Sequence, residues 1–308
     1  MPRVFVTGAT GNIGRETVRL LTEEGHDVTA MVRRRTKIPG CKAVVADLAD
    51  VGVVERAVRG ADHIVHLASP RADLREVVVV ADVLGTGRLL EMWQNGNFVY
   101  VSSSTIYGIP GTAPLTESHP MDVLSWYDLG KVTNEYQLRL TPIVGSRRAW
   151  VSLRPALVFT YGPRRRDRQF LDYIYLACKE GREFVFDSDE MLETAGCAFI
   201  GVDEMARAVV EAMSIEEPGA FNVAGGFCTW VELIETFNRL AGTQATVSVS
   251  PDGEDDESIR LPQSRTELDT SAFEAATGFN PRSDLEALVE SFLEAERNEG
   301  NSDSEAVR

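Results

Sequence analysis

Short apolar runs alternate with helical patterns along the first half of the chain. "RVFVTG" reads as a strand, "NIGRETVRLLTEEG" as a helix closed by Gly25, and "HDVTAMV" as a second strand. "AVVAD" is a third strand, "VVERAVRG" a helix and "DHIVHLA" a fourth strand. A long helix over roughly 74–94 leads into a fifth strand, "NFVYVSSS". Strands nearly continuous in apolar residues, alternating with helices, predict an α/β fold with a doubly wound parallel sheet covered on both faces. Each crossover is expected to be right-handed.

After "WVSLRPALVF", predicted as a sixth strand, the rhythm loosens. "PRRRDRQFLDYIYLACKEG" reads as a loop and a helix, and "AGCAFIGVDEMARAVVEAM" as a short strand and a helix. "GAFNVAG" reads as one more strand, "TWVELIETFNRLAG" as a helix, "SPDGEDDESIR" as an acidic loop and "LEALVESFLEAE" as a last helix. This predicts a sheet domain over 1–160, rejoined by the strand near 220–224. A small lobe over 161–297 and a disordered polar tail over 298–308 follow.

"TGATGNIG" places Gly8, Gly11 and Gly14 between the first strand and the first helix, with Thr10, Asn12 and Ile13 in the same turn. The first glycine permits a tight turn, the second lets backbone approach a pyrophosphate, and the third lets helix pack on sheet. The helix N–H groups and dipole then face the phosphates of a dinucleotide, making the fold Rossmann-type. An acidic residue at the end of the second strand would select NAD. Here Val32 stands there, and Arg33, Arg34 and Arg35 follow. Guanidinium groups bind a 2′-phosphate with charge-assisted, bidentate hydrogen bonds, so NADP is the expected cofactor, with NAD as the alternative. A solvated basic loop is the other reading of these arginines. Asp47 and Leu48, after the third strand, are placed to hold the adenine.

"YDLGK" sets Tyr127 and Lys131 one turn apart on one helix face. Tyrosine, with a free pKa of about 10, is a poor base at neutral pH, and a neighbouring ammonium favours its phenolate. "VSSSTIYG" lies at the carboxyl end of the fifth strand, the edge at which open α/β sheets bind ligands. A hydroxyl there can orient a substrate alcohol.

Together these pieces resemble an extended short-chain dehydrogenase/reductase, the NAD-dependent epimerase/dehydratase family, over residues 2 to 297. "TGATGNIG", "HLAS", "VLGTGRLLE", "SSSTIYG", "YDLGK", "LRPALV…YGP" and "FNVAGG" carry the resemblance. It implies Tyr127 as acid/base and Lys131 as its partner on the nicotinamide ribose, with Ser103 at the catalytic Ser/Thr position. It implies that Leu67, Ala68 and Ser69 line the cofactor and that Pro155, Leu157 and Val158 flank the nicotinamide. Ser69, Ser103, Ser104, Thr105 and Tyr127 would meet the substrate. It also implies a homo-oligomer, a dimer or tetramer.

Departures narrow the substrate. Cys197 stands where relatives acting on nucleotide-diphosphate sugars carry a diphosphate-clamping arginine. Leu157 replaces a substrate-side asparagine, and "DGEDDESIR" is mostly acidic where a second basic clamp is expected. A small, uncharged sugar is therefore expected: oxidation of a free aldose such as L-arabinose at C1 to its lactone. A nucleotide-sugar epimerase or dehydratase, a carbonyl reductase of the dihydroflavonol-reductase type and a non-catalytic NADP sensor are the alternatives. Arg164, Arg165, Arg166 and Arg168 cut the other way, since they could recruit phosphate. Asp82 stands where the family often has asparagine, with no functional reading.

Composition bounds the rest. The 47 acidic residues against 31 basic ones give a formal charge of −16, which argues against nucleic-acid binding. Only four of the bases are lysine, so the surface fits a protein hydrated in high salt, with a GC-rich genome as the bland alternative. Cys41, Cys178, Cys197 and Cys228 lack a CxxC spacing and read as reduced thiols. His63 and His66 are three apart on a strand and do not share a face, so no metal is expected. No run approaches the ~18 apolar residues of a membrane span. The chain begins directly with a strand, which leaves no room for a signal peptide and predicts a cytoplasmic enzyme.

Overall fold

The computed structural model describes residues 1–70, 73–110, 114–161, 170–251 and 258–306, with the side chains of 299–306 left aside. The first half builds β1 (Arg3–Thr7), α1 (Asn12–Glu23), β2 (Asp27–Val32), β3 (Lys42–Val45), α2 (Val51–Val58) and β4 (His63–His66). A helical segment follows in three parts: α3 (Arg75–Val77), a π-helical stretch Val78–Val83, and α4 (Leu84–Met92). Next come β5 (Asn95–Val101), a 3₁₀ turn Ser104–Tyr107, α5 (Trp126–Leu140) and β6 (Ser146–Pro155).

Six of these strands and one late arrival make the main sheet. Its order is β10-β6-β5-β4-β1-β2-β3, where β10 is Gly219–Val223, and every pairing is parallel. Strand β1 shows why both faces are covered. Val4 and Val6 enter the core shared with Val18 and Leu21 of α1, whereas Phe5 joins the opposite core with Val54, Leu89 and Leu138. A side-chain period of two thus feeds two helix layers.

The remaining elements are β7 (Leu157–Phe159), α6 (Phe170–Lys179), β8 (Glu183–Phe186), α7 (Asp189–Thr194), β9 (Gly196–Gly201) and α8 (Val202–Glu211). After β10 come β11 (Gly226–Thr229), α9 (Trp230–Ala241), β12 (Thr246–Val249), β13 (Arg265–Thr266), α10 (Ser271–Thr277) and α11 (Leu285–Ala306). Strand β9 is flanked by β11, β13 and β7, and β12 pairs with β8. A separate core of Phe159, Phe184, Trp230, Phe237 and Phe292 fills this part.

Three sequence expectations change. The sixth strand is two strands: β6 stays in the main sheet, and β7 leaves it to pair with β9. The break follows Pro155, which has no N–H to continue a ladder. The long helix carries a π-helical stretch through its valine-rich Val78–Val83 segment, the kind of local widening that π-helical turns introduce. The last helix keeps helical backbone to Ala306, into the segment expected to be an unfolded tail. The arginines at 164–166 and 168 lie outside the described residues, as does most of the acidic stretch 252–260.

Candidate active site

All seven main-sheet strands run parallel, so their carboxyl ends form one edge. That edge collects the glycine turn after β1, Arg33 and Arg34 after β2, Asp47 after β3, Leu67–Ser69 after β4 and Ser103 after β5. The strand order reverses between β1 and β4, where such sheets open a crevice.

The glycine turn is built tightly. Gly8 adopts φ 69°, and a Cβ there would lie 2.6 Å from the Ala68 nitrogen and the Leu67 carbonyl carbon. A Cβ on Gly14 would fall 2.1 Å from the Gly8 carbonyl oxygen, so helix and turn touch through backbone. Gly11 is the N-cap of α1 and no side chain caps that helix end, while the Gly11 N–H donates to Gly8 O at 2.8 Å. An uncapped N-terminus with its dipole pointing outward fits the pyrophosphate of a dinucleotide. Thr10, Asn12 and Ile13 are half-buried in this turn, and the Asn12 amide donates to Thr160 Oγ1 at 3.4 Å.

Arg33 and Arg34 are exposed, and neither has a carboxylate partner among the described residues. Asp47 is exposed too, its carboxylate accepting from the Ala49 N–H at 3.0 Å. Leu48 turns inward into the core, where Gly85 leaves room for it. Pro155 is buried, while Leu157 and Val158 are half-buried beside Phe199 and Ile200.

The structure brings Tyr127 and Lys131 together as the spacing requires. Lys131 is 2% exposed; its Nζ donates to Val101 O at 2.9 Å and lies 4.9 Å from the Tyr100 ring centre and 5.4 Å from that of Tyr127. Burial alone would lower the affinity of this amine for its proton. The facing Tyr100, Tyr127 and Asp82 overcome that and hold it above the ordinary lysine range. Lys131 is therefore a fixed cation beneath a half-buried tyrosine.

Ser103 follows β5 and accepts from the Thr105 N–H at 3.2 Å, with its Oγ 2.9 Å from Thr105 Oγ1. Thr105 donates to Asp128 Oδ1 at 2.6 Å, and Ser125 donates to Asp128 Oδ2 at 2.7 Å. The residue beside the tyrosine thus anchors the serine turn. Sequence reasoning missed Asp128, although the Ser125–Asp128 spacing is the capping signature that precedes a helix. It also left Asp82 without a role. Asp82 is 2% exposed on the π-helical stretch, accepts from Asn134 at 2.9 Å and Ser69 at 3.4 Å, and contributes to the field around Lys131. Burial pushes its carboxyl upward. Ser104 is half-buried and Thr105 exposed on the same turn.

Comparison with known proteins decides the family. A sequence model of the NAD dependent epimerase/dehydratase family matches residues 4–224. The chain belongs to that family. It is 25% identical over 297 residues to the spore coat polysaccharide biosynthesis protein SpsK of Bacillus subtilis (strain 168), covering 94% of this chain and 96% of that one. A putative UDP-glucose 4-epimerase of Methanocaldococcus jannaschii is 31% identical over 152 residues, 44% of this chain and 50% of that one. The likeness to L-arabinose 1-dehydrogenase (NAD(P)(+)) of Haloferax volcanii is 42% but spans 69 residues, 22% of this chain and 26% of the other. Among solved structures, MoeE5 in complex with UDP-glucuronic acid and NAD superposes with a TM-score of 0.76 at 23% identity, over 96% of this chain and 99% of that one. That likeness establishes the fold. Among the described residues, no helix is long and apolar enough to cross a membrane.

Proposed function

We propose that the chain is a nicotinamide-dependent enzyme that changes a nucleotide-activated sugar by epimerisation or dehydration. The observation that carries this reading is the buried Lys131 cation beneath Tyr127, with Ser103 tied to the same helix through Thr105 and Asp128, on the edge of the sheet that also holds the glycine turn. The relative similar along nearly its whole length is a polysaccharide biosynthesis protein, and another is a putative UDP-glucose 4-epimerase, which supports a sugar substrate carried on a nucleotide.

Gly8, Gly11 and Gly14, with Thr10, Asn12 and Ile13, would hold the cofactor pyrophosphate. Asp47 and the backbone at Leu48 would flank the adenine, Leu67, Ala68 and Ser69 the central part, and Pro155, Leu157 and Val158 the nicotinamide. When bound, the cofactor supplies a site that accepts and returns hydride. The protein's own contribution is proton handling at Tyr127 Oη. That oxygen takes the proton of a substrate hydroxyl and later gives it back, beside the fixed charge of Lys131. The Val101 carbonyl and the Tyr100 ring hold the ammonium in place. Ser103 Oγ orients the substrate hydroxyl, and Asp128 acting through Thr105 fixes Ser103.

A second reading, oxidation of a free aldose such as L-arabinose at C1 with NADP, is favoured by two observations. Cys197 offers no charge to a diphosphate, and Arg33 and Arg34 stand exposed after β2. One experiment separates the two. The protein is incubated with NAD or NADP and, in parallel, with UDP-sugars or free aldoses, and both product chromatography and nicotinamide absorbance are followed. Conversion of a UDP-sugar without net accumulation of reduced nicotinamide is the expected result. Stoichiometric nicotinamide reduction by an aldose alone would overturn the first reading in favour of the second.

A further inference from the structure

Cys197 on β9 and Cys228 on β11 are register partners in an antiparallel pair. Residues directly opposite each other project to one face, with Cα atoms about 4.5–5.5 Å apart. That lies inside the roughly 4.4–6.8 Å that a disulfide spans. Cys228 is 2% exposed and Cys197 half-buried, so Cys197 is the less enclosed of the two. The Cys228 sulfur and burial together hold the Cys197 thiol well above its ordinary range. Cys41, before β3, and Cys178, on α6, lie on other elements.

We propose that Cys197 and Cys228 are a redox modification site, closing to an intrachain disulfide when a low-molecular-weight disulfide is the oxidant. The Cys197 thiolate attacks one sulfur of that oxidant, forming a mixed disulfide and releasing one small thiolate. The Cys228 thiolate then attacks the Cys197 sulfur, forming the intrachain bond and releasing the second. Two protein thiols are oxidised, the oxidant is reduced to two small thiols, and the two protons end on those. The bridge ties β11 to β9 across the chain that passes through α8 and β10. Both strands belong to the small sheet, and the loop that the bond closes includes β10 of the main sheet. Constraining the unfolded chain in this way raises stability. The inference is independent of the substrate.

The test uses the full chain, folded and fully reduced, exposed to oxidised glutathione and mapped by peptide mass spectrometry with a free-thiol count. Wild type should fall from four thiols to two and yield a Cys197–Cys228 crosslinked peptide, faster at pH 9 than at pH 7 because the attacking species is the thiolate. Its melting temperature should rise by several degrees, and dithiothreitol should reverse this. Cys228→Ala should instead trap a stable glutathione adduct at Cys197. Retention of all four thiols, a lasting adduct on wild-type Cys197, or a crosslink through Cys41 or Cys178 would overturn the proposal. If the variant does not fold, the wild-type peptide map alone decides.

Discussion

His66 lies at the end of β4 with both ring nitrogens engaged, Nδ1 2.6 Å from Thr7 Oγ1 and Nε2 2.9 Å from Thr86 Oγ1. Burial, with Lys131 nearby, pushes its pKa down to about 3. Unfolded, this histidine takes a proton near pH 6.5, and folded it does not until about pH 3. The unfolded state therefore binds the extra proton between those values, so stability is complete above pH 6.5 and declines as pH falls through that window. The slope is at most about 1.4 kcal/mol per pH unit. His66→Asn, less stable throughout, should show a shallower decline by up to one proton in denaturation curves between pH 7 and 4. An unchanged slope would mean the histidine is already charged in the folded protein. Tyr127 bears on chemistry instead. Tyr127→Phe keeps the ring over Lys131 but removes the transferable proton, so turnover should collapse while cofactor affinity measured by fluorescence barely moves. Near-normal turnover would remove Tyr127 from the proposed mechanism. Arg33 and Arg34 set cofactor choice on the NADP reading. Each charged hydrogen bond contributes roughly 1.5–3 kcal/mol, so alanine at both should weaken NADP about tenfold or more and leave NAD unchanged. The ratio of kcat/KM values at fixed salt reads this directly, and a constant ratio makes the arginines a solvated loop.

Elements were easier to read than their partnerships. The strand–helix alternation, the glycine turn and the Tyr127–Lys131 spacing were all legible because each is a local pattern of period two, of turn chemistry or of one helical turn. What the chain withheld depends on contacts across elements. The split at Pro155 needs β9 to receive β7, and the Asp128 anchor needs Thr105 brought back over α5. The clearest case is Arg154 on β6, fully buried with Glu135 of α5. Its Nε and Nη2 donate to the two carboxylate oxygens at 3.0 and 2.6 Å, and Nη1 donates to Tyr107 Oη at 2.8 Å. Tyr107 in turn donates to Asn222 on β10 at 2.6 Å. This network joins α5, β6, β10 and the turn that follows Ser103, and nothing local in "NEYQL" or "SLRPA" announces it. Glu135→Gln strands a buried guanidinium, which costs about 3–5 kcal/mol. A lowered denaturant midpoint at unchanged m-value is the expected signature. A loss below about 1 kcal/mol would show that the carboxylate is replaceable by the surrounding hydroxyls.

For the molecule as a whole, net charge is the term that the fold does not cancel. Of 31 basic side chains, several are already committed at the surface: Arg3 to Asp62, Lys42 to Asp27, Arg19 to Glu16 and Glu23, Arg59 to Glu55, and Arg239 to Glu286. The excess of 16 negative charges is left to repel itself. Salt acts on both contributions. It weakens exposed ion pairs, each worth about 0–1 kcal/mol, and it screens repulsion once the Debye length falls to roughly 3 Å at 1 M. The pairs are short-range and geometrically specific, so screening removes only part of a small gain. The repulsion sums over the whole surface and is most relieved in the compact state, where the charges are closest. Stability should therefore rise from dilute buffer to molar KCl, a salt chosen because its ions are not strongly excluded from apolar surface as sulfate is. The measurement is the melting temperature at 0.1 and 2 M KCl, repeated on a variant in which Glu91 and Glu193, exposed and without an ion pair among the described residues, become glutamine. Wild type should gain more from salt than the variant. Equal melting temperatures at both salts would mean that the scarcity of lysine reflects codon usage alone and that the acidic surface carries no adaptation to salt.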